Sequence, residues 1–299
     1  MQPNGLIIIH KEPGMTSHTV VQRVKRLLAA DKAGHTGTLD PLASGVLPVL
    51  LGRGVKASEF LLEGDKHYRA LLTLGLTTDT EDISGRVLTR TDELPSAEAV
   101  LAAAEALRGE IVQIPPMYSA IKVGGVRLMA LARQGKDVER EGRTVTVYRL
   151  EITPVDRATY CLEVHCSKGT YIRTLCADLG RALGCGGVMS GLCRTEAAGF
   201  GLSEAHTLAE LEALALPERQ ALVLPLEETV FRDCPALPVS PFYAHLLHNG
   251  AAVVMKKLTA EAYAPGTRLR LYDAAGFFAV GQVLEGEEGP LVKPVKQLR

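Results

Sequence analysis

The chain has 299 residues, of which 46% are hydrophobic and 22% are charged. This composition is typical of a folded globular protein and excludes a disordered or fibrous one. The length predicts one large domain with a small one, or two of medium size. No apolar run approaches the roughly 20 residues of a membrane span, and the first residues do not resemble a signal peptide, so we expect a cytoplasmic protein without membrane segments.

Acidic and basic residues nearly balance, which gives a formal net charge of -1. A protein that binds nucleic acid needs a basic face to neutralise phosphates, so the charge has to be sorted by region. Basic residues gather at 23–26, at 122–143 and from Lys256 to the end of the chain. For any single lysine or arginine, a solvated surface position is the simpler interpretation.

The six cysteines form no C-x-x-C pair and have no zinc-finger spacing, so we expect reduced thiols and no metal site. The acidic segment around Asp79, Glu81 and Asp82 resembles a calcium loop only superficially. An EF-hand loop needs an acid or an amide at its fifth position, where this chain has Ile83. Calcium binding is therefore excluded here.

In the first half of the chain, short apolar runs predict buried strands and spaced apolar residues predict helices. In the strand that begins at Tyr68, alternation places Tyr68, Ala70, Leu72 and Leu74 on one face. The predicted elements are strand 6–9, a helix capped by Thr16 or Ser17, strand 46–51, helix 55–62, strand 68–74 and helix 97–107.

The second half begins with a basic, glycine-containing tract at 122–143 that lacks a steady apolar period and predicts a mobile insertion. From residue 231 onward, short strands separated by turn residues predict a small β-barrel. The predicted elements are a short helix at 128–133, strand 161–166, a helix starting at 169–170 and stopped by Gly180 or Gly184, a helical tract at 208–228, and strands 267–272, 276–284 and 290–295.

The loop at 34–45 reads Gly-His-Thr-Gly-Thr-Leu-Asp-Pro-Leu-Ala-Ser-Gly and carries the only acid between Asp31 and Glu59. Glycines and Pro41 favour tight turns and a close approach of the backbone to a ligand, which makes Asp40 a candidate catalytic carboxylate. Asp followed by Pro is also a common helix start, with Asp as the N-cap. The local pattern alone favours the helix start.

This loop closely resembles the catalytic motif of the TruB family of pseudouridine synthases, G-H-[TS]-G-x-L-D-P-x-A-[ST]-G. Five other segments resemble family motifs in the family's order, at 11–18, 65–69, 77–80, 115–122 and 167–173. The chain departs from the family at His10, where Asp or Asn is usual, at Glu12, where Pro is usual, and at Met129, where Tyr is usual. The resemblance covers essentially the whole chain.

The resemblance implies an α+β pseudouridine-synthase fold: a mixed, largely antiparallel sheet flanked by helices, with a small C-terminal β-barrel PUA-like domain. The catalytic domain would span 1–230, with 122–143 as an RNA-clamping insertion, and the PUA-like domain 231–299. The implied activity is isomerisation of uridine 55 in the T-loop of tRNA, without cofactor or metal. The implied partner is the tRNA T-arm, bound by a monomer.

The resemblance also implies the catalytic residues. Asp40 would perform the isomerisation, Arg173 would pair with it, and Tyr68 would stack on the target base and transfer the proton at C5. Whether Asp40 attacks the ribose, attacks the base or removes a ribose proton stays open. Without the resemblance, Arg173 would be interpreted as a helix-surface residue and Tyr68 as a core residue.

Six further residues are implied in substrate binding. Leu192 would contact the other side of the base, and His35 would fill the space that the flipped nucleotide leaves. Arg127 and Arg133 of the insertion would clamp the tRNA away from Asp40. Tyr171 belongs to the same motif as Arg173, and Lys56 is expected to touch phosphate. For His35 and Leu192, structural roles are the alternatives.

Two other functions compete with this interpretation. A guide-RNA-dependent branch of the family shares the aspartate loop but generally lacks the insertion after residue 120. A non-catalytic RNA-binding or tRNA-folding factor would need the basic surface but no reactive carboxylate. The insertion argues against the first alternative.

Overall fold

The computed structural model describes residues 3–119 and 121–299. Ala120, which belongs to the motif at 115–122, lies outside the described residues. The strands are β1 (Gly5–Lys11), β2 (Ala33–His35), β3 (Ser44–Leu51), β4 (Lys66–Leu74), β5 (Leu76–Thr78), β6 (Val87–Arg90), β7 (Gly109–Gln113), β8 (Lys122–Val123), β9 (Val126–Arg127), β10 (Arg143–Pro154), β11 (Thr159–Cys166), β12 (Gly187–Ala197), β13 (Phe200–Gly201), β14 (Ala236–Pro238), β15 (Val253–Val254), β16 (Arg268–Asp273), β17 (Gly276–Leu284) and β18 (Leu291–Gln297).

The helices alternate with these strands. They are α1 (Ser17–Leu27), α2 (Ser58–Leu62), α3 (Ala97–Glu105), α4 (Leu128–Ala132), α5 (Ile172–Ala182), α6 (Leu208–Ala213), α7 (Leu216–Ala221) and α8 (Pro241–His248), with 3₁₀ turns at Gly52–Ala57, Leu202–Glu204 and Met255–Lys257. None of the helices in the described residues is long and apolar enough to cross a membrane.

The main sheet has the order β1-β3-β12-β4-β11-β10-β7, with β2 paired to β3 and β13 paired to β12. Its strand pairs are antiparallel apart from β3 and β12, which run parallel where Ser44 and Gly45 meet Cys193 and Arg194. The expected mixed, largely antiparallel sheet is therefore confirmed.

Helices cover one face of this sheet. Val20 and Val24 of α1, Leu175 of α5 and Leu208 of α6 pack in one core with Tyr68 and the other inward-facing residues of β4. The predicted alternation of β4 is confirmed, since Tyr68, Ala70, Leu72 and Leu74 are buried. Strands β1 and β3 are apolar at successive positions because both of their faces are buried. In β1, Ile7 and Ile9 face this core, whereas Leu6 and Ile8 face a second one.

Two predicted helices are shorter than expected. The helix at 55–62 begins instead as a 3₁₀ turn, in which Gly54 lies so close to β1 that a Cβ there would be 3.0 Å from the Gly5 carbonyl oxygen. The tract at 208–228 breaks into α6 and α7 at residues 214–215, just before Pro217, which occupies the first turn of α7.

The sequence does not predict β7, β10 or β12. In β10 and β12 the pairing register shifts, between Val147 and Arg149 in β10 and between Met189 and Gly191 and between Arg194 and Glu196 in β12. Each bulge changes which residues face inward, so the period-2 pattern is lost. The insertion 122–143 folds as the β8–β9 hairpin followed by α4, anchored by the fully buried Leu128.

The C-terminal sheet has the order β14-β16-β17-β18-β15 and packs against α8. This arrangement confirms the predicted strands and is consistent with a PUA-like domain. The second core joins it to the main sheet: Leu6 and Ile8 share that core with Phe231, Val280 and Leu298. The two parts of the chain are therefore packed against each other through a common apolar layer.

Candidate active site

The segment around Asp40 is a loop between β2 and β3, so the helix-start interpretation is wrong. Ser17, at the start of α1, pins the loop through two hydrogen bonds: the backbone N–H of Leu39 donates to Ser17 Oγ (2.9 Å), which donates to the Leu39 carbonyl (3.0 Å). Gly45 closes the loop at φ +109°, where a Cβ would lie 2.2 Å from the Arg194 carbonyl oxygen. The loop thus needs glycine at this position.

Arg173 holds the carboxylate of Asp40 from the first turn of α5. Its Nε lies 2.9 Å from Oδ2, and its Nη2 donates to Oδ1 at 3.4 Å. Arg173 is 5% exposed, while the Asp40 side chain keeps 35% of its surface open. Two charge-assisted hydrogen bonds fix the orientation of the carboxylate and leave one side of it accessible.

The guanidinium of Arg173 is itself held by three residues in two other segments. Nη1 donates to the Thr80 carbonyl (3.0 Å), Nη2 donates to the Tyr118 carbonyl (2.9 Å), and Asp82 Oδ2 lies 3.8 Å from Nη1. Asp82 also accepts hydrogen bonds from Thr80 Oγ1 and the backbone N–H of Ser84. The acidic segment that resembles a calcium loop therefore supports the arginine, and no group of three possible metal ligands occurs within 3–119 and 121–299.

A cavity of about 670 Å³ opens over Asp40. Eight of the nine predicted site residues line it: Asp40, Tyr68, Arg173, His35, Tyr171, Leu192, Arg127 and Arg133. Arg127 and Arg133 of the insertion line the same cavity as Asp40. Met129, at the position where the family usually has tyrosine, lines it as well.

Lys56 is the exception. It lies in the 3₁₀ turn before α2, and its Nζ donates to the Gln297 carbonyl of β18 at 3.1 Å. This position is at the contact with the C-terminal sheet and outside the cavity lining. The predicted phosphate contact of Lys56 stays a prediction.

Tyr68 and Leu192 lie on neighbouring strands at the floor of the cavity. Tyr68 of β4 is opposite Arg194 of β12, and Leu192 is opposite Ala70, so all four side chains leave the sheet on the same face. Burial raises the pKa of Tyr68, and the charge of Arg194 acts in the opposite direction. Tyr68 and Leu192 thus present an aromatic ring and an aliphatic side chain to one space.

His35 lines the cavity as a neutral ring. Burial, followed by the nearby charges of Arg194 and His18, lowers the pKa of His35 from its usual 6.5. The side chain is therefore uncharged at neutral pH. Its Nδ1 is buried without a hydrogen-bond partner among the described residues.

Three buried cations beneath the loop are not predicted as site residues. Lys11 Nζ donates to the Ala43 carbonyl (2.5 Å), Lys66 Nζ donates to the Gly64 carbonyl, and Arg194 Nε donates to the Val46 carbonyl (2.8 Å). Burial lowers the pKa of Lys11 to about 8 and also lowers that of Lys66. Only Lys11 has a local signal in the sequence, since it ends a mostly apolar strand, whereas Lys66 and Arg194 lie in strands that carry other charged residues.

Comparisons with known proteins agree with this geometry. Residues 25–172 match the model of the TruB family pseudouridylate synthase N-terminal domain, and residues 173–230 match the tRNA pseudouridylate synthase B C-terminal domain. A tRNA pseudouridine synthase B of Alkaliphilus oremlandii (strain OhILAs) is 53% identical over 70% of this chain and 70% of its own length. A tRNA pseudouridine synthase B of Francisella tularensis subsp. novicida (strain U112) is 40% identical over 95% of this chain and 92% of its own length.

Solved structures show the same fold. A protein in a Cbf5-Nop10-Gar1 complex superimposes with a TM-score of 0.71 at 27% identity, covering 99% of this chain and 85% of its own. A protein in the archaeal box H/ACA sRNP Nop10-Cbf5 complex superimposes with a TM-score of 0.69 at 26% identity, covering 99% of this chain and 86% of its own. The fold is that of a pseudouridine synthase. Within that class, the chain belongs to the TruB family, as the sequence motifs predict.

Proposed function

We propose that the chain is a stand-alone tRNA pseudouridine synthase that isomerises uridine 55 in the T-loop. The observation that carries this proposal is the Asp40–Arg173 pair at the floor of an open cavity, in a chain whose relatives with 40% and 53% identity are tRNA pseudouridine synthases B. The accessible side of Asp40 faces the space that a nucleotide would occupy.

The reaction breaks the bond between ribose C1′ and uracil N1, rotates the base and joins C1′ to C5. A proton leaves C5, and N1 gains one, so no electrons are gained or lost overall. The reaction therefore needs a positioned carboxylate, a pocket that retains the freed base and exclusion of water. Asp40 supplies the carboxylate, and Arg173 keeps it oriented through both oxygens.

The cavity floor suits a flat base. Tyr68 and Leu192 hold the uracil between an aromatic and an aliphatic surface, and Tyr68 takes part in proton transfer at C5. His35, which is neutral, fills the position that the flipped nucleotide vacates. Tyr171 contacts the same nucleotide from the start of α5.

RNA contacts extend from this cavity. Arg127 and Arg133 of the insertion bind the T-arm beside the target nucleotide, since both line the cavity. The PUA-like domain, from about residue 231, adds a second RNA contact, and Lys56 contributes a phosphate contact near the boundary. We place the enzyme in the cytoplasm, as a monomer without metal or cofactor.

The guide-RNA-dependent alternative is favoured by a structural neighbour from an archaeal box H/ACA sRNP. Three features disfavour it: the insertion at 122–143 is present, its arginines line the cavity, and a tRNA pseudouridine synthase B with 40% identity covers 95% of the chain. A non-catalytic RNA-binding factor would have no use for a bidentate arginine clamp on an accessible aspartate.

Tritium release from unmodified tRNA carrying [5-³H]uridine tests the function. We expect the wild-type protein alone to release one tritium per tRNA, and none from a transcript in which uridine 55 is replaced by cytidine. Release that requires an added guide RNA would establish the guide-dependent alternative. Tight tRNA binding without any release would establish the non-catalytic one.

A further inference from the structure

Arg194 is a fully buried cation that forms no ion pair with a carboxylate in the part of the chain that the structure describes. Only 1% of the residue is exposed, and its partners are backbone carbonyls: Nε donates to Val46 (2.8 Å) and Nη2 to Gly37 (3.1 Å). Burying a charge without an opposite charge is unfavourable. A negative charge that forms nearby during the reaction would compensate it.

The group that faces this cation is the hydroxyl of Tyr68. The two residues are directly opposite each other in the β4–β12 register and share one face of the sheet. Nε and Nη2 donate to backbone carbonyls, and Arg194 and Tyr68 line the same cavity. The positive charge of the guanidinium counteracts the rise that burial causes in the pKa of Tyr68. Asp40 and Cys166 face the same hydroxyl and act in the opposite direction on its pKa.

We propose that Arg194 is a positioning residue for loss of the C5 proton: it holds the Tyr68 oxygen toward the base and balances the negative charge of that oxygen. This inference rests on the proposed function and on the assignment of Tyr68 to proton transfer.

Burial keeps Tyr68 protonated at rest. After C1′ has joined C5, Tyr68 gives its proton to water, and the phenolate takes the proton from C5 while the electron pair of that C–H bond moves into the ring toward N1. N1 takes up a proton from water, and Tyr68 is again a neutral phenol, whose hydrogen exchanges with water. The hydrogen of C5 therefore ends in solvent, and the phenolate exists only beside the guanidinium.

The competing explanation is purely structural, since Arg194 also ties the Asp40 loop to β3 and β12. The two explanations differ in which chemical step slows down. Loss of a structural tie would misplace Asp40 and slow cleavage of the bond between C1′ and N1. Loss of the charge beside Tyr68 would slow removal of the C5 proton only.

The test compares Arg194→Lys, Arg194→Gln, Tyr68→Phe and the double variant Arg194→Lys/Tyr68→Phe in single-turnover reactions. The substrates are tRNAs with uridine, 5-deuterouridine or 5-fluorouridine at position 55; the fluorinated base has no C5 proton to lose. Arg69→Lys is the matched control, because Arg69 neighbours Tyr68 on β4 but points to the exposed face and bonds Glu163 at 2.6 Å. Circular dichroism and tRNA affinity check that each variant folds.

We expect Arg194→Gln, which removes the charge, to convert uridine about a hundredfold more slowly, in line with the size of general acid–base effects. Arg194→Lys, which keeps the charge, should be slowed less. A primary deuterium isotope effect should appear or increase, while loss of 5-fluorouridine should proceed at the wild-type rate. The double variant should be no slower than Tyr68→Phe. Arg69→Lys should behave as wild type in all three reactions.

An unchanged isotope effect in Arg194→Gln, together with equal slowing on uridine and 5-fluorouridine, would overturn the proposal in favour of the structural role. If neither Arg194 variant folds, the isotope effect of Tyr68→Phe tests the proposal. The proposal is wrong if that isotope effect is no larger than the one of the wild type. If the wild type turns over normally and the variants give these negative results, the inference about Arg194 is wrong and the proposed function stands. A wild type that releases no tritium from tRNA overturns the proposed function and this inference with it.

Discussion

The Nε of Arg173 lies 2.9 Å from Asp40 Oδ2, although 133 residues separate them along the chain. The aspartate comes from a hairpin loop and the arginine from the first turn of a helix that packs beneath the main sheet. Neither residue has a function alone: the loop supplies an accessible carboxylate, and the helix supplies a rigid clamp that fixes its orientation.

Asp40→Asn should lower turnover by about a thousandfold or more, since removal of a reactive group abolishes most of an enzyme's acceleration. The amide has nearly the same shape, so tRNA affinity should stay within a few-fold of wild type. Tritium release and filter binding measure the two quantities. Asp31→Asn, an exposed acid before the same loop, is the control and should be fully active. Rapid turnover by Asp40→Asn would refute the assignment of Asp40.

Arg173→Lys keeps the charge but loses the planar fork that contacts both carboxylate oxygens and the carbonyls of Thr80 and Tyr118. We expect the single-turnover rate to fall about a hundredfold, because a misplaced catalytic group has effects of this size. The affinity for tRNA should change much less. Arg181→Lys, on the exposed side of the same helix, is the matched control. Equal losses of rate and affinity would argue against an orienting role.

Lys11 should make stability rise with pH in alkaline solution. Its folded-state pKa is about 8, compared with 10.5 when exposed, so between these values the unfolded chain binds more protons than the folded one. The free energy of unfolding therefore increases across this window, by at most about 3 kcal/mol. Urea denaturation of wild type and Lys11→Met from pH 7 to 10.5 measures it, with Lys32→Met as the exposed control. If the free energy of unfolding of wild type and of Lys11→Met changed with pH in the same way, the lowered pKa of Lys11 would be contradicted.

The double variant Arg127→Ala/Arg133→Ala should weaken tRNA binding and flatten its salt dependence. The log–log slope should become shallower by about 0.7 to 0.9 for each phosphate that the variant no longer neutralises. Because both arginines line the cavity beside Asp40, turnover at saturating tRNA should also fall. The control is Arg69→Ala/Arg149→Ala, which removes two charges from the exposed face of the sheet. A slope equal to that of wild type would show that the insertion does not bind phosphate.

Phe231→Ala should destabilise the whole chain by about 3 to 5 kcal/mol, the usual effect of removing a buried aromatic ring. Phe231 is 1% exposed and packs between Phe60 and Phe277, at centroid distances of 5.0 and 5.9 Å. Phe242→Ala, at a residue that is 68% exposed, should have almost no effect. A single urea transition that shifts for Phe231→Ala and not for Phe242→Ala is the expected result. Removing the chain from residue 231 should likewise expose the second core and unfold the protein, which makes truncation a poor test of RNA affinity.

The sequence predicts the parts of the site that local patterns or recognisable motifs carry. Alternation in β4 assigns the inward face of Tyr68, and the motif around Asp40 identifies the loop, although the local pattern alone favours a helix start. Arg194 escapes prediction because the bulges of β12 destroy the alternation that would have placed it inside. The position of Arg127 and Arg133 depends on how the insertion folds back, which no local periodicity encodes.

The shared core around Phe231 has a consequence for substrate choice. Because the C-terminal sheet is packed on the main sheet, its distance from the Asp40 cavity is set by the fold rather than by a flexible tether. An RNA that touches both must present its target uridine at one fixed separation from its second contact. If the C-terminal sheet makes the proposed RNA contact, lengthening or shortening the helical arm between those two points would move the uridine out of register, and the protein would select RNAs by length as well as by sequence.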